Sequence, residues 1–208
     1  MTRLYLIRHA ETQGNLSGEF QGSTDCDLSE RGVAQLEKLS ERARQLSYTK
    51  LYVSPLTRAQ RTAIAVNRHH GAPCETVDAL AEINCGLWER RPWVELAERY
   101  ADEMKQWRET PHLFRSPEGE TMQEVYSRVT ETLRRIVREH EGQAVAVVSH
   151  GCAIRNALVW LRGLPIDRLC EMPWVHNTSI TCADFDDDMT PHIVFEDDYA
   201  HVNGMVKL

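Results

Sequence analysis

No run in this 208-residue sequence approaches the ~20 consecutive apolar residues that a membrane-spanning helix needs. The apolar stretch near the N-terminus, Leu4 to Ile7, is also too short for the core of a secretory leader. Cysteine is sparse and scattered, at positions 26, 74, 85, 152, 170 and 182. No C-x-x-C pair and no zinc-type spacing occurs among them, so they read as reduced, partly buried thiols. Basic charge is not in excess: Lys and Arg number 24 against 31 Asp and Glu, and 24 − 31 = −7. Such a balance gives no reason to expect nucleic acid or an anionic membrane surface as partner. An anionic substrate would have to be drawn in by a local basic pocket, against the field of the whole chain. Fixed-period repeats and low-complexity linkers are absent as well. What remains is 42% hydrophobic and 26% charged, enough apolar residue for a sizeable core. The expectation is a single soluble, cytoplasmic domain over residues 1–208.

Leu4 to Ile7 reads as a short buried strand, because it is apolar without alternation. Ser29 is a suitable N-cap for a helix over roughly 30–46, with Leu36, Leu39, Ala43 and Leu46 at helical spacing. Lys50 to Val53 is a second strand, stopped by Ser54-Pro55. A helix from Arg58 to His70 ends at Gly71-Ala72-Pro73. Cys74 to Val77 reads as a third strand, and residues 93–107 and 120–140 are helical by pattern. Ala144 to Val148 is the most apolar strand of the chain, followed at once by Ser149-His150-Gly151 and a helix near 152–162. Residues 178–185 and 192–195 read as a hairpin around Asp186-Asp187-Asp188. Strands alternating with helices imply a mainly parallel sheet covered on both faces. In such sheets ligands sit outside the carboxyl ends of the strands.

That rule gathers particular residues. Arg8-His9 follows the first strand, Ser54 to Arg58 the second, Glu82 comes after the third, and His150 follows the 144–148 strand. Two arginines, two histidines and a glutamate suit a phosphoryl group of about two negative charges. The guanidinium fork matches phosphate oxygens and stays charged, so Arg8 and Arg58 form a candidate clamp. A helix opening at Gly151 would add backbone N–H groups and a positive dipole end. A neutral imidazole at His9 has a lone pair with which to attack phosphorus, splitting one displacement into two easier ones. Glu82 would protonate the leaving oxygen and then activate water. Each of these signals is weak alone; their ordered placement at strand ends is what carries the reading.

Leu6-Ile7-Arg8-His9-Ala10-Glu11-Thr12, Ser54-Pro55-Leu56-Thr57-Arg58-Ala59, Leu80-Ala81-Glu82-Ile83 with Gly86-Leu87-Trp88-Glu89, Glu118-Gly119-Glu120-Thr121 and Val148-Ser149-His150-Gly151 together resemble the histidine phosphatase superfamily, the phosphoglycerate mutase-like group. The resemblance covers nearly the whole chain. It implies a three-layer α/β/α fold with a six-stranded, mostly parallel sheet, a phosphohistidine at His9, acid/base work at Glu82, and phosphoryl binding by Arg8, Arg58 and His150. It also implies substrate binding by Asn15 and by Gln21 and Gly22, in the loop leading to the first helix, and no metal or other cofactor. Because the segment between Glu82 and the 93–107 helix is short, the chain resembles the compact phosphatases more than the mutases. The expected reaction is hydrolysis of a small phosphorylated metabolite: a sugar phosphate, a phosphoglycerate, or an intermediate such as α-ribazole phosphate. A mutase, or a phosphate-binding protein without turnover, is the alternative.

Two departures from the family pattern stand out. Ala10 takes the place of the usual glycine after the histidine, which a negative φ would tolerate. Arg90-Arg91 follow Trp88-Glu89 where a glycine is common; they could reach the far end of a substrate and favour a second acidic group, or they could be solvated surface arginines. Asp186-Asp187-Asp188 with His192 reads as a solvated turn rather than a metal site. Cys152 lies too close to Arg155 for a cysteine phosphatase loop. The sequons at Asn15 and Asn177 have no role without export.

Overall fold

The computed structural model describes residues 1–205. Six strands form one sheet in the order β3-β2-β4-β1-β5-β6. They are β1 (Thr2–Arg8), β2 (Lys50–Val53), β3 (Cys74–Thr76), β4 (Ala144–Ser149), β5 (Ile180–Phe185) and β6 (Pro191–Asp198). The first four run parallel; β5 and β6 are antiparallel and form the expected hairpin at one edge. Seven α-helices accompany them: α1 (Gln13–Ser17), α2 (Glu30–Ala43), α3 (Thr57–Asn67), α4 (Trp93–Arg99), α5 (Ala101–Glu109), α6 (Met122–Glu139) and α7 (Gly151–Leu161).

The unalternating strands are explained by two cores. On β1, Leu4 and Leu6 face the side packed by α6 and α7, while Tyr5 and Ile7 face α2 and α3. On β4, Val145 and Val147 take the first side, Ala146 and Val148 the second. Both faces of the central runs, Leu4 to Ile7 and Val145 to Val148, are dry, so each of those positions is apolar or aromatic. The result is the three-layer arrangement expected. Helix starts follow the caps: the Ser29 side chain accepts from Gly32 N, and Thr121 forms a capping box with Glu124.

The expected helix over 93–107 is instead two helices, broken at Tyr100 with φ −129 and ψ 50. Leu96, Tyr100, Met104 and Trp107 keep helical spacing across the break, so periodicity alone could not see it. Asp102 and Glu103 supply the acidic first turn of a new helix. Helix α1 had no apolar stripe to announce it; its start rests on a capping box between Thr12 and Asn15.

Register levels the carboxyl ends of three strands. Arg8 pairs with Ser149 across β1 and β4, and Val53 with Val148 across β2 and β4. The backbone continues the ladder one step further, with His9 N donating to Ser149 O at 3.0 Å and Ser54 N to Val148 O at 3.1 Å. His9, Ser54 and His150 therefore leave the sheet side by side.

Candidate active site

His9 and His150 lie with ring centroids 5.0 Å apart, and both are almost wholly buried. The Nδ1 of His9 lies 2.7 Å from Ala10 O. A carbonyl can only accept, so Nδ1 carries the proton and the lone pair sits on Nε2. Burial, then the positive charges of Arg58 and Arg8, hold this imidazole well below its ordinary range. It is neutral at working pH, as a nucleophile must be. Ala10 is buried against Leu28, Leu36 and Ala65 and its φ is not positive, so the methyl group fits without strain.

The Nε2 of His150 lies 2.6 Å from Ser54 Oγ. Ser54 Oγ accepts from Leu56 N and has no other acceptor for its own proton among the described residues, so its hydroxyl donates to that nitrogen and the proton of His150 sits on Nδ1. That Nδ1 is buried and has no partner, and the same holds for the Nε of Arg8 and of Arg58. Burial, followed by Arg58, His9 and Arg8, also keeps His150 neutral. Three buried N–H donors without acceptors, gathered about one imidazole lone pair, form a site built for an anion's oxygens.

The two guanidiniums are held by backbone carbonyls. Arg8 donates through Nη1 to Val175 O. Arg58, fully buried, donates through Nη2 to Gly22 O at 2.6 Å and through Nη1 to Thr24 O at 3.0 Å. Burial pulls both guanidiniums below their usual range, and the Glu82 carboxylate opposes that shift. The Asn177 amide donates to His9 O at 2.9 Å, which gives one of the two sequon asparagines a structural use.

Glu82 occupies the place expected for phosphate at the N-terminus of α7. Its Oε2 accepts from Cys152 N at 2.9 Å, and its Oε1 from Ala153 N and Ile83 N, both at 3.1 Å. The helix end thus fixes the Glu82 carboxylate and is not left free for a phosphate. Gly151 contributes by lacking a side chain: a Cβ there would lie 3.3 Å from the Arg8 guanidinium.

A cleft of about 210 Å³ opens beside Arg8, Glu82 and Gly151, and Asn15 and Gln21 line it. Gly22 does not line it. Its carbonyl serves Arg58, and a Cβ would lie 2.3 Å from both Glu89 Oε1 and Ile83 O, so it is a positioning residue. Arg90 and Arg91 are not brought to this cleft either. Arg91 donates to Leu87 O at 2.6 Å and pairs with Glu95, the residue four further along. Arg90 edges a neighbouring recess and donates to Asp25 O at 3.2 Å. Its φ of 61 explains why glycine suits this position.

Two organising residues escaped sequence reasoning. Glu89 accepts from the backbone N–H groups of Gly22, Ser23, Thr24 and Cys85, so it shapes the loop that holds Arg58. Arg128, on α6, donates to the carbonyls of Ala79, Ala81 and Glu82 and pairs with Glu120. Glu89 at least stood inside a quoted motif; Arg128 is one helix arginine among several and gave no local signal. Elsewhere, burial raises the Cys152 thiol well above its ordinary range, which makes it a poor nucleophile. His192 pairs with Asp186 at 2.7 Å across the hairpin turn. Among the described residues no group of three or more His, Cys, Asp or Glu could hold a metal ion, and no helix is long and apolar enough to cross a membrane.

The profile of the histidine phosphatase superfamily (branch 1) matches residues 4–197. The chain is 33% identical to phosphoserine phosphatase 1 of Hydrogenobacter thermophilus over 81% of its own length and 80% of that protein's. It is 34% identical to the probable phosphoglycerate mutase GpmB of an Enterobacter species (strain 638), over 79% and 77% of the two chains. Among solved structures, Bacillus stearothermophilus YhfR superposes with a TM-score of 0.92 at 30% identity, covering 98% of this chain and all of that one.

Proposed function

Since this chain belongs to the histidine phosphatase superfamily, we propose that it hydrolyses a small phosphomonoester through a phosphohistidine at His9. The observation that carries this reading is the set of three unpartnered, buried N–H donors, on Arg8, Arg58 and His150, around an imidazole whose free lone pair is on Nε2. Those donors suit the equatorial oxygens of a phosphoryl group in transfer. In the first step the Nε2 lone pair forms the N–P bond while the P–O bond to the leaving oxygen breaks. Glu82 delivers a proton to that oxygen and the alcohol departs. In the second step water attacks phosphorus, Glu82 takes its proton, and the N–P electrons return to Nε2. A carboxylate offers about four lone-pair directions; three are taken by backbone N–H groups. The free one is on Oε2, the atom that moves the proton.

Incubation with p-nitrophenyl phosphate tests the reading. Turnover with an acid-labile phosphate label on the wild type, and loss of both in His9→Ala by on the order of 10⁴-fold or more, is expected. Substantial residual turnover in the variant would remove His9 as nucleophile. The mutase alternative shares the first half-reaction and is named in the GpmB relatives. Isomerisation of a phosphoglycerate without release of inorganic phosphate would favour it.

A further inference from the structure

If the phosphatase reading holds, the leaving group lies in the cleft of about 210 Å³ beside Glu82 and Arg8. Its walls include Phe20, Trp93, Trp107 and Trp174, which come from separate parts of the chain. The rings brace one another. Phe20 lies 4.7 Å from Trp93 and 5.1 Å from Trp107 between centroids, and Trp107 lies 5.8 Å from Trp174. Phe20 and Trp107 are 3% and 7% exposed, whereas Trp93 and Trp174 are 38% and 46% exposed. Two rings are thus fixed by packing and two offer open surface. Exposed tryptophan has a hydrophobic cost unless something covers it.

Charge in the cleft is as informative as shape. Arg8 is the one cation among its lining residues, and the phosphoryl group claims it. Glu19 also lines the cleft, and its carboxylate has no hydrogen-bond or ion-pair partner among the described residues. Arg155 stacks its guanidinium 4.6 Å from the Trp174 centroid, but it donates to Met172 O and Cys170 O and is not part of the lining. Of the two residues that could have met a second acid, Arg91 is held elsewhere, and Arg90 lines the adjoining recess, which shares Glu19, Phe20 and Gln21 with the cleft, and donates to Asp25 O.

We propose that this cleft selects an alcohol leaving group that carries a flat apolar ring and no acidic group, with Glu19 as the residue that turns acidic substrates away. A ring set against Trp93 and Trp174 buries apolar area and gains offset or edge contacts with indole. A carboxylate in the same place would stand beside Glu19 with no counterion, in a partly desolvated site where repulsion is strong. Asn15, whose Oδ1 is taken by Thr12, has its amide N–H₂ for hydroxyls near the phosphoester.

Steady-state kinetics with 2-phenylethyl phosphate and 3-phosphoglycerate test this. Both are alkyl monoesters, so the comparison does not rest on an aryl leaving group. The ring-bearing substrate should have a kcat/KM higher by about tenfold or more, the least return expected from covering a ring of that size. Trp93→Ala and Trp174→Ala should each shrink that ratio several-fold, through KM for 2-phenylethyl phosphate. Glu19→Gln, which keeps the side-chain shape, should raise kcat/KM for 3-phosphoglycerate by about tenfold. Equal or inverted preference in the wild type, or a ratio that Glu19→Gln does not move, overturns the assignment. Parallel assays with p-nitrophenyl phosphate separate the two levels. Its failure to turn over sinks the phosphatase reading itself; its turnover alongside a preference for the acidic substrate sinks only the cleft.

Discussion

Arg8, His9 and His150 hang from the ends of adjacent parallel strands, and Arg58 from the first turn of the helix that follows a third. Phe20, Trp93, Trp107 and Trp174 belong to a loop, two short helices and another loop, and none is on a strand. The first group is buried and its positions are fixed by ladder hydrogen bonds and by two cores. The second is fixed ring against ring, and half of it is open to solvent. On the proposed reading, chemistry common to many phosphoesters is placed on the part of the fold that tolerates least change, and discrimination between substrates where side chains can vary.

The largest effect that tests this division is Glu82→Gln. It should lower kcat by about 10² to 10⁴-fold on an alkyl phosphate, and by much less on p-nitrophenyl phosphate, whose leaving group needs little protonation. Equal losses on both would remove Glu82 from the acid role and blur the line between the two regions. A middle-sized effect concerns stability. Folding holds His9 and His150 well below the ordinary value of 6.5. Below that pH the unfolded chain binds more protons than the fold does, so stability falls as pH drops from about 6.5 toward the folded values. The two sites together set a slope approaching about 2.7 kcal/mol per pH unit. Thermal unfolding between pH 7.5 and 5.5 should show it, and His150→Asn should halve it. An unchanged slope would mean that this imidazole is not held neutral. The smallest effect lies at the margin of the cleft. Arg90→Gly relieves a left-handed backbone and should raise Tm by about 2 °C. It should leave kcat/KM for acidic substrates alone, whereas a fall would place Arg90 on the substrate after all.

This division also explains what could be read in advance. Short apolar runs closed by Arg8-His9, Ser54-Pro55 and Ser149-His150 mark strand ends, and strand ends of a parallel sheet mark the site. His9, Arg58, Glu82 and His150 were therefore legible before any coordinates. So were β4 and the β5–β6 hairpin. The break at Tyr100 was not, because the apolar spacing is continuous through it. The use of the α7 N-terminus was misjudged, since nothing in Gly151-Cys152-Ala153 says that a carboxylate from residue 82 fills it. Arg91 did carry a signal in Glu95 four residues on, a pairing that ties it to the first turn of α4, the helix it precedes. The aromatic cleft was out of reach, because its four rings span residues 20 to 174 and meet only in three dimensions.

Each clamp arginine is tied to the backbone of a segment that bears a cleft wall. Arg8 donates to Val175 O, next to Trp174, and Arg58 donates to Gly22 O and Thr24 O, just past Phe20 and Gln21. For an engineer this separates two kinds of edit. Exchanging the rings or Glu19 should retune which alcohol is accepted while the clamp keeps its seating. Lengthening or shortening either loop would shift the carbonyls on which both guanidiniums rest, so substrate range in this scaffold is open to substitution and closed to insertion.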